Sequence, residues 1–188
     1  TTGEIQTASK PALMFQEPAL YPWLTASRNV ELVMQLRGVD KETRRAKAAE
    51  LLGLVHLENA MNLRPHELSG GMRQRVALAR ALAQEGSVLL MDEPFAALDA
   101  VTRDILHEEL IRVWKETSST IVFVTHNVRE AVRLGQKVLL MSSRPGRIIK
   151  EWEVNIAEPR RIEDEAVSKL AGTITHELRS EISRHAKQ

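Results

Sequence analysis

Two short runs constrain this chain more than any other feature: Leu68-Ser69-Gly70-Gly71-Met72, which opens a helical stretch, and Val88-Leu89-Leu90-Met91-Asp92-Glu93-Pro94. At a helix start the first amides have no intrahelical partner and the peptide dipoles leave partial positive charge, so an anion can be held without a cationic side chain. Ser69 adds a hydroxyl, and Gly70 and Gly71 lack the Cβ that would keep a phosphate away from their amides. Met72, Val76, Ala79 and Ala83 form the stripe expected to face a core, with Arg73, Gln74 and Arg75 directed elsewhere. The second run is apolar without alternation, which predicts a parallel strand buried on both faces. Ligands of open parallel sheets bind outside the carboxyl ends of strands, so Asp92 and Glu93 mark a site. Asp92 suits Mg²⁺, largely through water, because Mg²⁺ takes hard oxygen ligands and keeps much of its hydration. Glu93 suits the polarisation of an attacking water. The chain contains no Gly-x-x-x-x-Gly-Lys-Ser/Thr, the loop that would cradle β and γ phosphates.

Two more polar residues sit at the ends of apolar runs. Gln16 follows Ala12-Leu13-Met14-Phe15, where its amide can reach a metal or water. His126 follows Thr120-Ile121-Val122-Phe123-Val124-Thr125. Beyond Gln16, two prolines restrict Glu17-Pro18-Ala19-Leu20-Tyr21-Pro22-Trp23-Leu24, and Tyr21 and Trp23 are residue types enriched at interfaces.

The order Leu-Ser-Gly-Gly-Met-Arg-Gln-Arg, Leu-Leu-Met-Asp-Glu-Pro, Ala-Ala-Leu-Asp and Val-Thr-His126 strongly resembles the nucleotide-binding subunit of ABC transporters, from about Thr1 to at least Ile149. Met72 replaces the commoner Gln, and Ala96 stands where many members carry Ser. The resemblance implies an α/β fold: a P-loop NTPase-like ABC ATPase core with a mainly parallel sheet, plus a helical subdomain carrying the signature motif. It implies ATP and Mg²⁺ as cofactors. Glu93, His126 and Gln16 would be catalytic, Ser69, Gly70, Gly71 and Asp99 would contact nucleotide, and Asp92 with Gln16 would serve the metal. Tyr21 and Trp23 would face a membrane permease. The implied assembly is a head-to-tail homodimer bound to that permease, supplied indirectly by a solute-binding protein, on the cytoplasmic face of the membrane. Pro22-Trp23-Leu24-Thr25 together with Ser143-Arg144-Pro145-Gly146-Arg147-Ile148 resembles the nitrate, sulfonate and taurine importer branch.

Thr1-Thr2-Gly3-Glu4-Ile5 resembles the segment that follows the phosphate-loop helix in this family, and no initiator Met is present. The chain is therefore expected to lack its natural beginning, and alone to be inactive as an ATPase because the phosphate loop is absent. A non-catalytic scaffold or pseudo-ATPase lacking the phosphate loop, which binds a permease or lends its signature to a competent partner, is the alternative. An ABC-type DNA-repair or chromosome ATPase is a remoter one, since no sustained heptad pattern separates Gln16 from Ser69.

Composition is consistent with this reading. The 26 basic and 25 acidic residues give a net charge of +1 and no basic field for nucleic acid. Cysteine is absent, which excludes disulfides and thiolate metal sites. No apolar run approaches the roughly 20 residues of a membrane span, so membrane contact is expected through a partner.

Four regions are expected. Residues 1–26 hold a core strand and the loop after Gln16; 27–80 form a helical subdomain ending in the signature helix; 81–157 form an α/β core; 158–188 form a helical tail. Within 27–80, Ser27 is the candidate cap and Gly38 and Gly53 the breaks, with apolar groups at Val30, Val33, Met34 and Leu36 and then from Arg44 to Leu54. Helices are expected from about Val101 to Lys115 and near Val128 to Leu134, strands at Lys137 to Met141 and Ile148 to Val154, and a turn at Arg144 to Arg147. In the tail, Val167, Leu170, Ile174, Leu178 and Ile182 mark an amphipathic helix, either packed or seeking a partner.

Overall fold

A computed structural model describes residues 6, 10–117, 119–143 and 145–185. The readings placed on Thr1 to Ile5 and on Arg144 lie outside the described residues. The chain divides after Val124 into two compact units.

In the first unit, three parallel strands lie in the order β1 (Ala12–Met14), β2 (Val88–Asp92) and β3 (Thr120–Val124), with Leu89 aligned to Ala12 on one side and Ile121 on the other. Ala12, Met14, Leu89 and Met91 are buried on one face of this sheet, against which α3 (Gly70–Leu82) packs. Contrary to expectation, β2 is not fully buried on both faces. On the second face Leu90 is only half-buried, and Leu13, Val122 and Val124 are exposed. Both faces of β2 are apolar, which removes the alternation from the sequence, yet one is left open among the described residues.

The helices α1 (Ala26–Leu36), α2 (Lys41–Leu54) and α3 pack on one another. The cap of α1 is Thr25, whose hydroxyl accepts from the Arg28 amide at 3.2 Å, and not Ser27, which lies inside the helix and donates to Glu31 at 3.1 Å. Gly38, at φ +82°, ends α1 as expected. Asp40 caps α2 by accepting from the Glu42 and Thr43 amides, both at 3.0 Å. Gly53 is not a break, since α2 runs through it and the reversal falls at His56, φ +54°. Two 3₁₀ turns, Glu58–Ala60 and Pro65–Glu67, then lead to α3. Gln74 was expected to face away from the core with its neighbours; it is buried, while the Arg75 guanidinium donates to the Val55 and His56 carbonyls. α4 (Ala100–Thr117) connects β2 to β3.

In the second unit, α5 (Val128–Leu134) and α6 (Glu165–His185) pack together beside an antiparallel ribbon of β4 (Lys137–Met141) and β5 (Ile148–Glu153). Val132, Val138, Val154, Val167, Ala171 and Ile174 form its core. The tail helix thus packs through part of its apolar stripe, while Ile182 stays exposed. Buried Arg160 donates to the carbonyls of Ile156, Val132 and Gly135, satisfying groups at the end of α5. Among the described residues no helix is long and apolar enough to cross a membrane.

Candidate functional site

The helix start behaves as its sequence demands. Ser69 is the N-cap of α3, extended at ψ 165°, and its Oγ accepts from the Met72 amide at 3.2 Å. That leaves the amides of Gly70 and Gly71 without an acceptor among the described residues. Gly70 is exposed, and a Cβ built there meets only Arg73 Nη2, at 3.9 Å, so the helix start is open on the side a side chain would occupy. Gly71 has a second reason to be glycine: a Cβ would lie 3.3 Å from Leu98 Cδ2, so the helix start seats directly on the loop after β2. The turn before Ser69 is fixed by Glu67, which accepts from the Arg64 amide at 2.6 Å, and by Arg73, which donates to the Leu68 carbonyl at 2.7 Å.

At the other end of that loop, Asp92 closes β2 with an exposed carboxylate. Glu93 is half-buried, and its amide continues the sheet by donating to the Val124 carbonyl at 2.9 Å. Its φ of +45° is a left-handed conformation uncommon for a non-glycine residue, and such conformations gather at functional sites. Pro94 and Phe95 behind it are buried, with the Phe95 ring edge-on to His107 at 4.6 Å. Gln16 lies two residues past β1, and its Nε2 donates to Glu93 Oε2 at 3.4 Å. The two residues read separately from sequence are therefore neighbours. With its nitrogen turned to Glu93, the Gln16 amide retains a carbonyl oxygen of the hard type that Mg²⁺ accepts. Among the described residues no group of three His, Asp or Glu side chains could hold a metal. A magnesium ion here would take Asp92 and Gln16 from the protein and the rest of its shell from phosphate and water, which is its usual habit.

Asp99 is the N-cap of α4. One carboxylate oxygen accepts from the Thr102 amide at 3.0 Å and the other from the Thr102 hydroxyl at 2.7 Å, so any contact with nucleotide would use the remaining lone pairs. The bonds from the Thr102 amide and hydroxyl hold this carboxyl below its ordinary value. A depressed folded pKa means the cap's contribution is present above the unfolded value and is lost as pH falls through the folded one. An NMR titration of the Asp99 carboxyl carbon is expected to give a midpoint below that of an ordinary aspartate, and Thr102→Val to move it upward.

The segment from Gln16 to Thr25 is fastened from two sides. Arg80 of α3 donates to the Pro18 carbonyl at 2.7 Å and the Ala19 carbonyl at 2.8 Å, with Ala19 itself at φ +43°. Asn29 of α1, fully buried, accepts from the Tyr21 amide at 2.8 Å and directs its NH₂ to the carbonyls of Tyr21, Leu24 and Thr25 at 3.0–3.3 Å. Tyr21 and Trp23 project from this frame 40% and 68% exposed, their rings 5.5 Å apart. Neither Arg80 nor Asn29 was singled out from the sequence. His126 belongs to the second unit, is exposed, and precedes Asn127, which caps α5.

The sequence profile of the ABC transporter family matches residues 3–96. The chain is 42% identical over 177 residues to the taurine import ATP-binding protein TauB of Rhizobium johnstonii, covering 94% of this chain and 68% of that protein. It is 46% identical over 144 residues to the nitrate import ATP-binding protein NrtD of Synechocystis, covering 77% and 54%. The fold matches that of the ATP-binding cassette MJ0796, solved as a post-hydrolysis dimer bound to ADP and Pi, with a TM-score of 0.70 at 37% identity, covering 79% of this chain and 64% of that one. The chain thus spans between about half and two thirds of the length of these relatives, and by profile, identity and fold it belongs to the ABC transporter family, among the ATP-binding cassettes.

Proposed function

We propose that the chain is part of the ATP-binding and ATP-hydrolysing subunit of an importer for a small solute, with taurine, nitrate or a sulfonate as the candidate cargo. The observation that carries this reading is the meeting of Gln16 with Glu93 at the carboxyl end of a parallel strand, with Glu93 held left-handed. Gly71 supports it by seating the signature helix on the same loop.

In this reading Ser69, Gly70 and Gly71 of one subunit grip the terminal phosphate of ATP held by a second, identical subunit. Asp92 and Gln16 serve Mg²⁺, and Glu93 orients and polarises the attacking water, assisted by His126. Asp99, besides capping α4, faces the subunit boundary. Tyr21 and Trp23 dock against an integral-membrane permease, which keeps the subunit peripheral on the cytoplasmic face and links it indirectly to a solute-binding protein. The four-part division at residues 1–26, 27–80, 81–157 and 158–188 assigns these tasks in order: permease-facing loop, signature helix, hydrolytic strand ends, and tail.

Phosphoryl transfer is catalysed mainly by positioning and electrostatic stabilisation. The 188 residues contain no Gly-x-x-x-x-Gly-Lys-Ser/Thr to position the β and γ phosphates. The polypeptide of these residues alone is accordingly expected to release no phosphate from ATP above background. Sustained turnover by a clean preparation, abolished by Glu93→Gln, would show that it supplies a phosphate cradle of another kind.

A further inference from the structure

Within the second unit an open groove of about 460 Å³ runs along α6, with Arg129 of α5 at its edge, and its residues belong to none of the roles assigned above. That volume lies in the range of small-ligand sites. Arg129 reaches it from α5, and His176 and Arg179 from α6, while the Ser168 and Thr175 hydroxyls on its wall donate to the Ile162 and Ala171 carbonyls and can only accept from a ligand. No Asp or Glu lines it. The α6 positions follow a spacing of three and four, so they share one stripe of the helix.

The nearest acids in sequence are engaged elsewhere. Glu130, beside Arg129, is buried and accepts from the Thr125 hydroxyl. Glu177, beside His176, is bonded to Lys150 at 2.6 Å. Neither Arg129 nor Arg179 enters an ion pair among the described residues. Two guanidinium groups therefore converge, beside an imidazole, on one concavity whose lining holds no carboxylate, although Glu177 lies near enough to interact with His176.

The floor of the groove carries a second sign. Gly172 sits inside α6, where glycine is disfavoured relative to alanine, yet a Cβ built there meets nothing within 4 Å. No neighbour requires glycine at this position. What its absent side chain does is keep the groove open.

Guanidinium forks match oxyanions bidentately and form the stronger class of hydrogen bond. Two forks and an imidazole offer more donors than the two oxygens of a carboxylate can use. A tetrahedral head with three or four oxygens uses them better, and the volume leaves room for an organic body over Ala171 and Gly172. We propose that the α5–α6 groove is a binding site for a small organic phosphate or sulfonate, held by Arg129, Arg179 and His176.

The test titrates the 188-residue chain with phenyl phosphate and, separately, benzenesulfonate at constant ionic strength, followed by amide NMR shifts. Saturable shifts confined to residues around 129 and 168–179 are expected, with affinity falling about tenfold or more in Arg129→Gln/Arg179→Gln, as loss of charge-assisted bonds requires. Gly172→Leu, which suits a helix and fills the floor, is expected to remove binding while leaving thermal melting unchanged or raised. Gly70→Glu is expected to leave it intact, which separates this groove from the signature helix. Shifts scattered over the surface, no saturation, or indifference to the double arginine variant would overturn the proposal. So would co-sedimentation with phosphatidylglycerol vesicles in the absence of phenyl phosphate binding, which would assign the basic stripe to a lipid surface instead.

Discussion

Mixing this chain with a complete ATP-binding relative whose own signature serine and glycines have been replaced is expected to restore ATP hydrolysis, and Gly70→Glu in this chain to remove it again. The effect rests on two amides. Gly70 and Gly71 have no acceptor among the described residues, and Ser69 already takes the Met72 amide, so its own hydroxyl proton is free to point outward. Amides aimed at a terminal phosphate act as preorganised donors, and losing one such donor costs roughly 10²–10³-fold in rate. A carboxylate at position 70 fits sterically, because the nearest atom to a Cβ there is 3.9 Å away. An acid in the first turn also favours the helix through its dipole. The variant should therefore melt at the same temperature or higher while hydrolysis falls by about 10² or more. In the same mixture Glu93→Gln should have no effect, since the nucleotide cradled by the relative is attacked by water held on the relative's own acid. Steady-state phosphate release measures all three. Failure to restore hydrolysis would leave the chain a docking scaffold, and restoration that survives Gly70→Glu would show that this helix start is not what grips the phosphate.

How far the sequence reveals this arrangement depends on whether the determining interaction is local. The strand Val88–Asp92 was legible because four apolar residues ending in two acids admit few other structures, and the cap at Ser69 because a hydroxyl before two glycines has an evident local partner. The start of α1 was not. Ser27 looks as good a cap as Thr25, but Asn29 gathers the carbonyls of Tyr21, Leu24 and Thr25 onto itself, with Thr25 at ψ 169° and Ser27 inside the helix. Gly53 misled for a related reason. Glycine is tolerated within a helix when the next turn is fixed by packing, and buried Leu52, Val55 and Leu57 fix it here. At the site, Gln16 and Glu93 were each readable from a strand end, but their contact depends on β1 and β2 being sheet neighbours 77 residues apart in sequence. The left-handed backbone of Glu93 carries no local signal, since nothing in Asp-Glu-Pro distinguishes it from an ordinary turn.

The same reasoning makes Asn29→Leu the substitution with the largest expected effect on stability. Asn29 is fully buried, and its amide is the common partner of one N–H and three carbonyls in the Tyr21 to Thr25 segment. Leucine fills a similar volume but supplies neither donor nor acceptor. Buried groups left unpaired cost about 1–3 kcal/mol each, less what water recovers by entering, so a loss of about 3 kcal/mol is expected. That is a large part of a typical domain's stability. Arg80→Met tests the other fastening. Burial lowers the Arg80 guanidinium pKa, yet two short bonds to Pro18 and Ala19 carbonyls keep it in place and hold Ala19 at its positive φ. Bonds to a charged donor are worth about 1.5–3 kcal/mol each before desolvation is subtracted, so this variant should lose less than Asn29→Leu. Urea unfolding gives both numbers, and amide exchange locates them. Asn29→Leu should speed exchange chiefly at residues 21–25, and Arg80→Met should loosen residues 18–20 while α3 stays protected. If Arg80→Met instead frees the start of α3, the arginine braces the helix. If α3 stays protected, α3 serves as the rigid post to which residues 18–20 are tied through Arg80, so force applied at the aromatic rings would reach the helix that begins at Ser69–Gly71 by this side chain as well as through Asn29 and α1, which packs on α3.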